Sequence, residues 1–315
     1  MKIICIGHAA WDITIPVSNF PLENTKNRYS NVVECAGGSA CSASYLLGKW
    51  GMSPYFIGTV GNDIYGEDII NSLHNVSVNT DFVRVVDEPT TRGIILANKE
   101  NGSRTILTYQ NGDICQDTPF LLPFMPDIML FDGQEYVVTK KILQEYSNCI
   151  SVMDAGRVTS HNIELAKLAT YVICSQDFAE TFTNQKFDFK NFESLVTIYK
   201  KMKEEIPGIL VITLGKYGSI YEKDGNIVIV PAISVDTVDS TGAGDIFHGA
   251  FVYGVASGML LEQIIKFATV AAGLSVQYIG VQNSVVPVDE VKERFYEDSG
   301  TRKRTEHNSL KHSLL

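Results

Sequence analysis

An α/β fold with a mainly parallel central sheet flanked by helices is predicted by two patterns in this sequence. Short apolar runs alternate with amphipathic, helix-like stretches along most of the chain. The runs, among them Ile3–Ile6, Ile128–Phe131 and Ile209–Leu214, lack the polar alternation of a half-exposed strand, so they read as strands covered on both faces. With 315 residues, 45% of them hydrophobic, the chain has enough apolar side chain for one large domain, or one domain with a small appendage.

The elements follow in order. Ile3–Ile6 is the first strand. Ser39–Trp50 carries Ala43, Leu46, Leu47 and Trp50 on one face of a helix that Gly51 stops. Tyr55–Val60 reads as a strand and Asp63–Leu73 as a helix. Further buried strands fall at Ile128–Phe131, Ser151–Met153, Tyr171–Cys174 and Ile209–Leu214, with helices near Thr139–Tyr146, Asn162–Leu168 and Phe192–Lys203 between them. A later helix spans Glu262–Val276. Two segments break the rhythm. Asp12–Val33 has Pro16, Pro21 and no helical period, and Thr91–Tyr109 reads as a hairpin turning at Asn101-Gly102. Together they are expected to form a small β layer outside the main sheet. A second hairpin turns at Asp224-Gly225. The domain is expected to span residues 1–296, followed by a polar, mixed-charge tail from 297 to 315.

Composition excludes several classes. A net charge of −10 argues against a nucleic-acid surface. No apolar run is long enough to span a membrane, and the first residues read as a buried strand rather than a signal peptide. Six cysteines lie scattered, without metal-type spacing, and point to reduced thiols and a cytoplasmic protein.

The chemistry concentrates at Asp239-Ser240-Thr241-Gly242-Ala243-Gly244-Asp245, a loop that turns into a helix, since Phe247, Ala250, Phe251, Gly254 and Val255 continue at helical spacing. Small residues let a ligand approach the backbone, and unpaired N–H groups at a helix start hold anions. A carboxylate such as Asp245 beside an anion nest repels the guest. It makes sense as a base that takes a proton from a hydroxyl attacking a bound phosphate. This stretch resembles the C-terminal signature of the ribokinase-like sugar kinases, the PfkB family, written D-T-x-G-A-G-D. The resemblance implies a ribokinase-like fold, Asp245 as catalytic base, and an anion hole from the amides of Gly242, Ala243 and Gly244. It also implies a monovalent-cation site, K+, near Asp239, Thr241 and Ser284, the last in Gly280-Val281-Gln282-Asn283-Ser284.

Other motifs match in part. Cys35-Ala36-Gly37-Gly38-Ser39-Ala40-Cys41-Ser42 resembles the family's N-terminal signature, in which paired glycines let a sugar rest on backbone at a helix start. Ser42 stands where the family commonly has a sugar-binding Asn. Asp12, after the first strand, matches an Asp that accepts bonds from sugar hydroxyls. Thr213-Leu214-Gly215-Lys216-Tyr217-Gly218 is similar to T-L-G-x-x-G, which places Thr213, Gly215 and Gly218 against ATP phosphates. Ser175-Gln176-Asp177-Phe178 falls where relatives carry N-x-x-E to organise Mg2+. Here Ser175 replaces the Asn and Phe178 the Glu, leaving Asp177 or Glu180 as substitutes. Asp154 and Arg157 follow a strand, and Arg157 suits either a phosphate or a surface ion pair. His248 reads as a packing residue.

The reading is an ATP-dependent carbohydrate kinase acting on a primary hydroxyl of a sugar other than ribose. A homodimer through the β layer, as lid, is implied. The arginines Arg28, Arg92 and Arg104 of that layer suit an anionic group on the substrate, with Arg92 preferred and Tyr109 beside it. A nucleoside or pseudouridine kinase of the same fold, and a non-catalytic sugar or nucleotide sensor, are the alternatives.

Overall fold

The computed structural model describes residues 1–110 and 115–298. In chain order its strands are β1 (Ile3–Ile6), β2 (Ala10–Val17), β3 (Val33–Gly37), β4 (Tyr55–Ile57), β5 (Thr59–Gly61), β6 (Arg84–Val86), β7 (Arg92–Asn98), β8 (Arg104–Tyr109), β9 (Ile128–Phe131), β10 (Ile150–Ala155), β11 (Tyr171–Ser175), β12 (Ile209–Thr213), β13 (Ser219–Lys223) and β14 (Asn226–Val230). The helices are α1 (Ser39–Lys49), α2 (Ile64–His74), α3 (Tyr136–Glu145), α4 (Ser160–Ala166), α5 (Gln176–Thr183), α6 (Phe192–Lys203), α7 (Ala243–Ala256), α8 (Leu261–Ser275) and α9 (Val288–Asp298).

The main sheet has the order β14-β13-β12-β11-β10-β9-β1-β4. From β4 to β12 every neighbour is parallel; the β13–β14 hairpin adds an antiparallel edge. Strand alternation explains why the predicted runs are apolar throughout. Ile3 and Cys5 of β1 enter one core with α1, α7 and α8, whereas Ile4 and Ile6 enter a second core with α3 to α6. Covering both faces takes nearly every strand side chain out of water, each worth roughly 1.5–3 kcal/mol. Glycine lets helices come close: at Gly249 of α7 an added Cβ would sit 3.2 Å from the Ala43 carbonyl of α1.

A second sheet, β3-β2-β7-β8, stands apart from the first. Its β7–β8 hairpin turns at Asn101-Gly102 as predicted, with Gly102 at φ 68°. The segment 18–32 contributes no strand and is mostly exposed, so the layer is built from 10–17, 33–37, 92–98 and 104–109.

Several expectations are corrected. Tyr55–Val60 is not one strand: it divides at Gly58 into β4 of the main sheet and β5, which pairs only with β6. A side chain at 58 would meet the Gly7 carbonyl at 2.6 Å. Helix α7 begins at Ala243, four residues before its apolar face. Helices α5 and α9 were not foreseen, and Glu297 and Asp298, assigned to the tail, belong to α9. The rest of the expected tail lies outside the described residues. No helix among the described residues is long and apolar enough to cross a membrane.

Candidate active site

The site lies where the second sheet meets the carboxyl ends of the parallel strands. Gly242, at φ 75°, caps α7 with no side-chain bond. A Cβ there would strike Val281 at 2.3 Å, so only glycine fits this turn. The Ala243 N–H reaches the Ser240 carbonyl at 3.4 Å and the Ile246 N–H reaches Gly242 at 2.9 Å. The amides of Gly242, Gly244 and Asp245 meet no acceptor among the described residues, as expected for the first turn of a helix. The expected trio was Gly242, Ala243 and Gly244; the structure shifts it, because Ala243 is turned toward Ser240.

Asp245 is half-buried in that first turn. Desolvation pushes its carboxyl up to about 7, the charge of Asp154 adds to this, and His248 and Arg104 oppose it. Asp154, at the end of β10, is buried and pushed up to about 8 by desolvation and by Asp132. His248, read as packing, holds this corner together. Its Nδ1 lies 2.6 Å from the Gly244 carbonyl and 3.3 Å from Asp154 Oδ2. A carbonyl can only accept, so Nδ1 carries the proton. Burial lowers the ring's pKa.

Asp12, which follows β1 in the chain, sits within β2 of the second sheet. Its carboxylate is wedged between two glycine backbones: an added Cβ would come within 2.0 Å of it at Gly37 and 2.5 Å at Gly93. Desolvation pushes it up to about 7, reinforced by Asp245 and Asp239, and no donor among the described residues bonds it. Gly38, at φ 91°, caps α1 against the His8 carbonyl. Ser42 follows in the first turn of α1, 2% exposed, its hydroxyl without a partner among the described residues.

Register decides what else faces this crevice. Asp12 pairs with Gly93, and Gly93 with Thr108, so these share a face with Ile106 and Arg104 two and four residues back along β8. Trp11, Arg92 and Tyr109 pair on the opposite face. There the Arg92 guanidinium lies over the rings of Tyr65 and Tyr109, 5.1 and 4.5 Å from their centroids. The expectation that Arg92 and Tyr109 line the crevice is therefore corrected: one residue of strand register turns both away. Arg104 is the arginine that points inward, and its Nη1 donates to Ser240 Oγ at 2.8 Å and to the Ser240 carbonyl at 3.2 Å.

At the other end of the crevice Ser175 and Thr213 are register partners on β11 and β12. Thr213 donates to the Cys174 carbonyl, and Gly215 and Gly218 both take positive φ around a 3-10 turn. Ser175 is used as the N-cap of α5, accepting from the Phe178 N–H. Glu180 is also committed: Lys186, Gln176 and the Phe187 N–H bond it. Asp177 stays exposed in the first turn of α5. Asp239 ties two loops, accepting from the Thr241 N–H at 2.9 Å and the Gly280 N–H at 3.2 Å. The Thr241 hydroxyl is buried without a partner among the described residues, while the Ser284 hydroxyl donates to the Val281 carbonyl.

The family model described as pfkB family carbohydrate kinase matches residues 1–288. The chain belongs to the pfkB family. It is thus a phosphotransferase acting on a hydroxyl group. It is 28% identical over 305 residues to a ribokinase of Bacillus subtilis, covering 93% of this chain and 99% of that one. It is 24% identical over 300 residues to a nucleoside kinase of Methanothermobacter thermautotrophicus, covering 93% and 95%. In fold it is similar to the Arabidopsis thaliana ribokinase complexed with ribose and ATP, with a TM-score of 0.76, 22% identity and coverage of 93% and 98%.

One residue of this pfkB site was missed in the sequence. Asp132, just beyond β9, accepts from the N–H groups of His8 (2.7 Å), Ala40 (3.2 Å) and Gln134 (2.9 Å), joining β1, α1 and the β9–α3 turn. The signal was present: a polar residue at the carboxyl end of an apolar strand, the same rule that drew attention to Asp154.

Proposed function

We propose that this chain transfers the γ-phosphoryl group of ATP to a primary hydroxyl of a sugar or sugar derivative, with Asp245 as general base. The observation that carries this is a half-buried carboxylate beside three amides that lack acceptors. Asp245 takes the hydroxyl proton, the oxygen bonds to the γ-phosphorus, and the bond to the bridging oxygen of ADP breaks. The amides of Gly242, Gly244 and Asp245 meet the charge on the transferring group. Asp12, short of donors among the described residues and flanked by Gly37 and Gly93, accepts hydrogen bonds from the sugar hydroxyls, with Gly38, next in the chain after Gly37, offering backbone to the sugar. Thr213, Gly215, Gly218 and Ser175 border the nucleotide, a reading supported by the ATP bound to the Arabidopsis relative.

Mg2+ would reach this site on the nucleotide phosphates and neutralise them. Among the described residues no three His, Cys, Asp or Glu gather to cage it, and Ser175 and Glu180 are engaged elsewhere. Exposed Asp177 is the carboxylate left to order its waters. Asp239, Thr241 and Ser284 would hold K+, and the unpartnered Thr241 hydroxyl fits such a guest.

The preferred substrate is a sugar other than ribose, supported by the short, unpartnered Ser42 where a longer amide is common. Losing one buried hydrogen-bond partner costs about 1–3 kcal/mol, roughly tenfold to over a hundredfold in affinity. The idea of an anionic group loses its main support with Arg92 turned outward. A nucleoside remains the second reading, favoured by the nucleoside kinases among the relatives. The outer face of the second sheet, where Ile94, Leu107 and Tyr109 are exposed, is the surface we assign to a homodimer.

Asp245→Asn is expected to lower kcat by about 10²–10⁴-fold while ATP still binds. The wild-type rate should rise with pH through about 7, since only the ionised carboxylate accepts the proton. Near-wild-type turnover by the variant would show that Asp245 is not the base. Assays across pentoses, hexoses, keto-sugars, sugar acids, sugar phosphates and nucleosides should place the highest kcat/KM on a sugar other than ribose; ribose as the clear best substrate overturns the Ser42 argument. Turnover should be faster in K+ than in a bulky organic cation, and equal rates remove the cation site. Sedimentation should give twice the chain mass, with Leu107→Glu shifting it to one; a wild-type monomer at high concentration rejects the lid dimer.

A further inference from the structure

We infer that the β7–β8 hairpin sets the conformation of the anion loop by gripping Ser240, with Arg104 as a positioning residue for phosphoryl transfer. This rests on the reading of the α7 N-terminus given above. Three hydrogen bonds make the grip. Arg104 Nη1 donates to Ser240 Oγ (2.8 Å) and to its carbonyl (3.2 Å), and Ser240 Oγ donates to the Gly102 carbonyl (2.8 Å). The partners are 136 to 138 residues apart in sequence, so nothing local brings them together. The hairpin tip is also seated sterically. Gly102 lies so close to the loop that a Cβ would come within 2.4 Å of Thr237.

What is gripped matters. Ser240 lies between Asp239, whose carboxylate fixes the Thr241 N–H, and Gly242, which caps α7. The Ser240 carbonyl that accepts the Arg104 hydrogen bond is the same one that turns the Ala243 N–H inward at 3.4 Å. Fixing this carbonyl therefore fixes which amides of the first turn stay free for a guest. The charge of Arg104 also favours the ionised form of Asp245. Because β7, β8 and β2 form one sheet, the grip links the strand that carries Asp12 to the loop that meets the phosphate. A sugar seated under the sheet and a correctly shaped anion loop then belong to one arrangement of the chain.

The test is a double-mutant cycle of Arg104→Gln and Ser240→Ala, read as kcat, sugar KM and ATP binding by equilibrium titration. Each single change should lower kcat by about tenfold or more with ATP affinity nearly unchanged. The double variant should be little worse than the worse single one, as for residues that act as a unit. Arg104→Lys, which keeps the charge and one donor nitrogen but not the planar fork, should recover part of the loss. Wild-type kcat in both single variants, or losses that multiply independently, overturns the inference. Should Arg104→Gln fail to fold, Ser240→Ala and Arg104→Lys still decide it by the same split of kcat from ATP affinity. Asp245→Asn run alongside separates the two ideas. If it is inactive while the cycle shows no coupling, the grip alone is wrong; if it is active, the base assignment falls.

Discussion

The site depends on holding several carboxylates together, largely out of water, in the seam between two sheets. Desolvation is the dominant cause of the raised pKa of Asp12, Asp154 and Asp245, and the charge of neighbouring carboxylates, Asp132 and Asp239 among them, adds to it. Such a cluster opposes folding unless something else holds the seam shut. Here that is the two-sided apolar core of the parallel sheet, together with the glycines at 37 and 93 that let Asp12 press against backbone.

The carboxylates divide by how the protein treats them. Asp132 receives three backbone N–H bonds and Asp239 two. Each joins segments that are far apart in sequence, and amide donors replace the water it has lost. Asp12 and Asp245 receive none among the described residues. A half-buried acceptor without a protein donor stays costly until a ligand supplies one. The bonded pair thus reads as framework, and the unbonded pair as the groups that face a guest.

Much of this was legible in the sequence. The apolar runs marked the central strands because burial on both faces leaves no polar alternation to misread. The run around Asp245 was legible because its glycines, carboxylates and following helix sit within a dozen residues. What escaped depends on partners distant in sequence. Arg92 and Arg104 look alike as lid arginines, and only the β2–β7–β8 register, which no local pattern fixes, sends one outward and the other to Ser240. Gly58 looked like the middle of a strand until the Gly7 carbonyl and the change of sheet were seen. Helix α5 was hidden for a different reason. Ser175 was read as the replacement for the Asn of a Mg2+-organising motif, whereas its hydroxyl caps the helix, a role that Ser fills as readily as Asn.

The N-terminus of α7 has two tasks that conflict in a static picture: its amides attract an anion, and its carboxylate repels one. In the mechanism proposed here the conflict resolves in time. Asp245 is charged only until it takes the hydroxyl proton. As it becomes neutral, negative charge passes through the attacking oxygen to the phosphoryl group, where the free amides already point. A poorly solvated setting strengthens both halves of this exchange, because water neither stabilises the initial carboxylate nor shields the amides from the charge that follows. An exposed aspartate near its ordinary pKa would be a weaker base at neutral pH. A fully enclosed one would remain protonated. Desolvation and Asp154, which raise the carboxyl, are opposed by His248 and Arg104, and the balance leaves Asp245 between those limits.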